Sequence, residues 1–150
     1  MNPKRHSPGT QSGTTLIEVL VAVVVLSIGL LGIAGLQLSA LRNTQGAYER
    51  SAAVILANSL AERMAADRAQ AIAGAYNMAM GGCTGPGGGS LAGVNLTAWS
   101  TEIKQMLGDS GCGSVNCAAG LCVVTIQWQD RGGEARADMT AQMAMEVRLQ

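Results

Sequence analysis

The stretch GTTLIEVLVAVVVLSIGLLG, beginning at Gly13, places a single carboxylate, Glu18, at the head of an apolar run. From Val19 to Leu41 no charged residue occurs over 23 positions. A carboxylate among lipid tails costs roughly 2.5 to 3.5 kcal/mol on insertion scales, so one that is retained there marks a function or a fixed partner, and that partner must be a cation or a proton. A cut after Gly13 supplies the cation. The new amine of Thr14 then lies four residues, one helical turn, from Glu18, in its own chain or a neighbour's.

Other chemistries find little support. The sole histidine, His6, precedes Gly13, so a chain cut there has neither a Ser-His-Asp nor a Cys-His pair, and no enzymatic activity is expected. Cys83, Cys112, Cys117 and Cys122 all lie beyond the apolar run. The last three are spaced C-x4-C-x4-C, without a C-x2-C knuckle or a histidine, so neither a metal nor another cofactor is expected. A reactive C-x-x-C pair is also missing. Disulfides in an oxidising compartment are the expected fate of these thiols. Four cysteines allow three complete pairings, and the sequence does not select one. The short polar GSVN between Cys112 and Cys117 favours a bond between those two, leaving Cys83 to tie a glycine-rich loop to Cys122.

The apolar run must be a helix long enough to hold these groups. At ~1.5 Å per residue, Val19–Leu41 spans roughly 34 Å against a hydrocarbon core of ~30 Å. Lys4 and Arg5 in the leader MNPKRHSPGTQSG, which has no acid, favour a cytoplasmic N-terminus and export of the residues after Leu41. An ordinary secretory signal has a shorter apolar region, about 7 to 15 residues. The helical pattern continues from Arg42 to about Ile72, with Tyr48, Ala52, Ile55, Leu56, Leu60 and Met64 on one stripe and Glu49, Arg50, Glu62, Asp67 and Arg68 mostly elsewhere. One helix is therefore predicted over 14–73, with Gly74 as its stop, a length on the order of 90 Å.

NMAMGGCTGPGGGSLAG reads as a loop. NLTAWSTEIKQMLGD has Leu96, Trp99, Ile103, Met106 and Leu107 at helical spacing, with Asn95 as the expected N-cap. LCVVTIQWQD alternates as a strand, with Cys122, Val124, Ile126 and Trp128 on one face. After the turn DRGGE, the segment ARADMTAQMAMEVRLQ alternates through Met139, Ala141, Met143, Met145, Val147 and Leu149. It predicts the second strand of an antiparallel hairpin, with a helix as the alternative given its alanine and methionine content. The expected domain boundaries are a leader over 1–13, a membrane and assembly helix over 14–41, its exported half over 42–73, and a small disulfide-bearing domain over 74–150.

Gly13, the adjoining TTLI, Glu18 and the unbroken apolar helix resemble the prepilin signal of type IV pilins and pseudopilins. That resemblance implies an α+β fold: a long N-terminal helix, its first half membrane-spanning, packed on a small antiparallel sheet. It implies cleavage between Gly13 and Thr14 by prepilin peptidase, N-methylation of Thr14, and a role for Glu18 in assembly register. It further implies a single pass through the bacterial inner membrane with the C-terminal domain in the periplasm, and then incorporation into a pilus. The expected partners are the peptidase, inner-membrane lipid, other minor pilins and the major pilin.

ANSLAERMAADR and VVTIQWQDRGG resemble more narrowly the minor pilins that modify type IV pili. Type II secretion pseudopilins and DNA-uptake pilins are the alternatives within the superfamily. Two departures stand out: the first residue after the cut is Thr14 where the family often has Phe or Met, and Gly29, Gly32 and Gly35 stand where many pilins have a kinking proline. Glycine costs a helix interior about 1 kcal/mol relative to alanine and lets the segment bend without losing a hydrogen-bond donor. Loss of Lys4 and Arg5 leaves 8 basic against 10 acidic side chains. Nucleic acid is disfavoured as a partner, and Arg131, Arg136 and Arg148 read as a solvated face because each is near an acid. Trp99 and Trp128 are expected in the core.

Overall fold

The structure is a computed structural model that describes residues 13, 15–130 and 140–149. Three helices, α1 (Leu16–Ala66), α2 (Arg68–Ile72) and α3 (Leu91–Leu107), precede three strands, β1 (Cys112–Ala118), β2 (Leu121–Gln129) and β3 (Thr140–Arg148). The architecture is α+β and pilin-like, a long N-terminal helix packed on a small antiparallel sheet of order β1-β2-β3. The chain divides into two compact units, with the boundary between Ser39 and Ala40. Helix α1 contributes to both.

Composition accounts for the continuity of α1. It contains no proline, and three of its hydroxyl residues are bonded within the helix. Ser27, Thr44 and Ser51 donate to the carbonyls of Val23, Ala40 and Ala47 at 2.7, 2.7 and 3.0 Å, so a polar group in an apolar stretch needs no outside acceptor. The helix breaks at Asp67, whose backbone (φ −114°, ψ 46°) is not helical. The uninterrupted helix predicted to residue 73 is thus α1 and then the short α2, and Gly74 comes after it with φ +83°.

In the second unit, Ala52, Ala53, Leu56, Ala57, Leu60 and Met64 of α1 enter the core, as does Glu49. Tyr48 and Ile55 are 62% and 60% exposed, so the buried stripe is rotated from the predicted one toward small alanines. Glu49 is only 3% exposed because it accepts a hydrogen bond from Trp128 Nε1 at 3.1 Å. Trp99 makes the matching contact from α3, its Nε1 donating to the Leu56 carbonyl at 2.9 Å. Both tryptophans are core residues, and each buried indole N–H has an acceptor. Arg63 of α1 reaches both carboxylate oxygens of Glu102 on α3, at 2.7 and 3.0 Å.

Helix α3 begins earlier than predicted. Ser90 is its N-cap and accepts from the Gly93 N–H at 3.1 Å. Asn95 lies inside the helix and donates instead to the Tyr76 hydroxyl at 2.9 Å. The glycine-rich loop is fastened to α3, since the Ser100 hydroxyl accepts from the Gly85 N–H at 2.8 Å.

Strand β2 buries Cys122, Val124, Ile126 and Trp128 as predicted. The ambiguous last segment is a strand, pairing antiparallel with β2 from Leu121↔Arg148 to Gln129↔Thr140. Met139 and the DRGGE turn beyond Asp130 lie outside the described residues.

The expected disulfides Cys112–Cys117 and Cys83–Cys122 are replaced by Cys83–Cys112 and Cys117–Cys122. The reason is β1. GSVN is extended strand rather than a closed loop, and five residues of strand separate Cα atoms by ~16 Å, beyond the ~7 Å a disulfide spans. A two-residue turn at Ala119 (φ +51°) and Gly120 (φ +79°) folds β2 back on β1. Cys117 then stands opposite Cys122, with their Cα atoms 4.0 Å apart. Cys112, at the other end of β1, is left for Cys83, with a Cα–Cα distance of 4.5 Å.

Gly113 on β1 lies against Trp99, and a Cβ there would clash with Cη2 and Cζ3 of the indole and lie 2.9 Å from Ile103 Cδ1. Gly113→Ala is expected to destabilise the domain by about 1–3 kcal/mol, read from denaturant midpoints. Tyr76 is buried, and burial raises its pKa above the ordinary 10.0, with the Asn95 hydrogen bond opposing and the Asp67 charge adding to the rise. Its contribution to stability is therefore complete below pH 10.0 and is lost as pH rises through the folded-state value. Tyr76→Phe should flatten that alkaline decline; an unchanged pH profile of the denaturation midpoint would contradict it.

Candidate functional site

The N-terminal end of α1 carries the groups singled out by the sequence. Gly13 is exposed, and a Cβ there would meet nothing within 4 Å. The fold itself does not demand glycine at this position. Thr14 lies outside the described residues. Helix α1 starts at Leu16, with the Thr15 carbonyl accepting from the N–H groups of Glu18 and Val19 at 3.0 and 3.3 Å. Glu18 is thus in the first helical turn and exposed.

Position and direction both matter for this carboxylate. Helical side chains lean toward the N-terminus, so Glu18 leans back over the preceding turn. The exposed N–H groups of a helix start favour a negative charge by about 0.3–1 kcal/mol. That falls short of the roughly 2.5–3.5 kcal/mol for a carboxylate at the centre of a lipid-embedded helix. A cation or a proton is still required if the carboxylate enters that environment.

The surface behind Glu18 is apolar on every side. All residues from Leu16 to Leu38 are exposed, including Leu16 at 91% and Leu31 and Leu36 at 73% each. By length and composition α1 is able to cross a membrane. A helix that is hydrophobic all round requires a surrounding apolar medium, either lipid or other helices. Gly29, Gly32 and Gly35 also face open space, so no packing among the described residues explains them.

Residues 9–34 match the prokaryotic N-terminal methylation motif. The motif fits a type IV pilin or pseudopilin, and it covers Gly13, Thr14, Glu18 and the apolar run as far as Ala34. It implies processing by prepilin peptidase, and with the apolar helix it fits membrane anchoring. Comparison with curated proteins and with solved structures found no match.

The remaining candidates are structural in the described residues. All four cysteines are in disulfides. No three His, Cys, Asp or Glu side chains gather there in a way that could hold a metal. A cleft of about 420 Å³ beside Cys83 and Cys112 is lined by Met80, Ser110, Gln127 and Trp128 among others, with no carboxylate, amine or imidazole among its described lining residues. Arg148 is exposed at the end of β3, while His6, Arg131 and Arg136 lie outside the described residues. Sequence reasoning missed the buried role of Glu49; its four-residue offset from Ala53 and seven-residue offset from Leu56 were the available signal, masked by its charge.

Proposed function

We propose that the chain is a minor type IV pilin, a structural subunit that primes or modifies pilus assembly after cleavage between Gly13 and Thr14. The observation that carries this reading is the methylation motif over residues 9–34 joined to an all-round apolar helix that the described residues leave exposed. The segments ANSLAERMAADR and VVTIQWQDRGG support the narrower placement, through their resemblance to the type IV pilus modification protein PilV.

The mechanism is assembly. In the bilayer, lipid covers Leu16–Leu38; in the pilus, helices of neighbouring subunits take its place. The N-methylated amine of Thr14 supplies the cation that Glu18 needs, from its own chain or the adjoining one. A charge pair in an apolar bundle adds little net stability, since desolvation offsets attraction, but a misaligned subunit strands the charge. The pair therefore specifies axial register. The domain beyond the membrane helix is exported to the periplasm and carried into the pilus.

Glu18→Ala is expected to preserve membrane insertion and the mature mass while reducing pilus number and motility severalfold. Wild-type piliation in that variant would refute the register role. Deletion of the chain should abolish or alter pili; loss of exoprotein secretion with normal pili would assign it to a type II secretion machine instead.

A further inference from the structure

The two disulfides stand in unlike surroundings, and strand parity is the reason. Cys112 and Cys117 are five residues apart on β1, an odd number, so their side chains leave opposite faces of the strand. Cys117 and its partner Cys122 belong to the core, at 7% and 0% exposure. Cys112 shares the other face with Ser114 and Asn116, and both it and Cys83 are half-buried. This second pair lines the cleft of about 420 Å³ together with Met80, Ser110, Gln127 and Thr140, and the described lining holds no carboxylate to repel an approaching thiolate.

Anchors on both sides limit what opening this bond would release. Before Cys83, Met78 exchanges both backbone hydrogen bonds with Val115, each at 2.9 Å. After it, the Gly85 N–H donates to Ser100 Oγ at 2.8 Å and the Gly87 N–H to Thr97 Oγ1 at 3.2 Å. Cys112 is set in the ladder opposite Gln127, and its neighbour Gly113 lies against Trp99. The stretch between the anchors is residues 79–84. Within it Cys83 has φ +38° and ψ 12°, a left-handed conformation that a residue with a Cβ disfavours and that opening the bond would relax.

We propose that Cys83–Cys112 is a thiol-exchange site, opened and closed by a partner protein that carries a dithiol, while Cys117–Cys122 stays closed. A thiolate of the partner attacks one of the two sulfurs. The S–S bond breaks, the other cysteine leaves as a thiolate and takes up a proton, and a mixed disulfide forms. The partner's second thiolate attacks that bond and departs with its own disulfide, so Cys83 and Cys112 gain two electrons and two protons and the partner loses them. The reverse sequence, from oxidised partner, closes the bond. Exposed disulfides are the labile ones, and a bond inside the core offers an incoming thiolate no line of approach. The exchange therefore frees residues 79–84 and leaves the core intact. Only the compartment of the partner rests on the proposed export of this domain.

The test uses the full chain in detergent micelles, treated with graded dithiothreitol without denaturant, its free thiols then alkylated and mapped by peptide mass. Cys83 and Cys112 are expected to be labelled at least about 10-fold faster than Cys117 and Cys122. In the selectively reduced chain the tryptophan emission should be unchanged, and the rise in backbone hydrogen exchange should centre on residues 79–84. Thioredoxin whose second active-site cysteine is replaced by serine should be trapped on Cys83 or Cys112, and the double variant Cys83→Ser, Cys112→Ser should trap none. Equal labelling rates, earlier opening of Cys117–Cys122, loss of tryptophan burial on selective reduction, or no trapped adduct would each overturn the proposal.

Discussion

An apolar surface that no described residue covers governs the N-terminal unit of this molecule. From Leu16 to Leu38 every side chain is exposed and none is charged except Glu18. Full burial of one such Leu, Ile or Val is worth about 1.5–3 kcal/mol, so the segment strongly favours an apolar surrounding. The carboxylate at its head then becomes the one charged group whose placement costs free energy. In the proposed account a single proteolytic cut resolves this, by creating an amine within reach of Glu18.

The second unit has a different logic. It is rich in alanine and glycine, and aromatics are few, with no phenylalanine and two tryptophans. Each tryptophan fills a large share of the core and is oriented by one hydrogen bond to α1: Trp99 to the Leu56 carbonyl and Trp128 to Glu49. Glycine at 113 makes room for the first of these rings. The two disulfides add constraint at both ends of β1, one closing the hairpin and the other fastening the glycine-rich loop. A small core with few large side chains gains most from such staples.

What could be read from the sequence tracked the strength of each local signal. The apolar run, Glu18 and the period-two alternation of β2 are strong patterns, and the α+β architecture came from them together with the resemblance to pilins. β1 was missed because Gly113, Ser114 and Asn116 are poor strand formers; pairing with β2 and Met78 holds the segment extended. That omission also produced the incorrect disulfide assignment, since a loop and a strand place Cys112 and Cys117 at very different separations. Glu49 was misplaced for the opposite reason. Its charge indicates solvent, whereas Trp128, distant in sequence, donates to it within the core. Asn95 lost the N-cap to Ser90 because the helix extends back through Ala92 and Gly93, residues whose glycine-rich surroundings suggested a loop.

The most direct measurement is the intact mass and N-terminal residue of the chain recovered from membranes of a cell that carries prepilin peptidase. The account requires a chain that begins at N-methylated Thr14 and retains the helix through Leu41. A chain still beginning at Met1, or one beginning near Leu41, would contradict it, because Glu18 would then lack the amine it is held to need or would be absent from the mature protein.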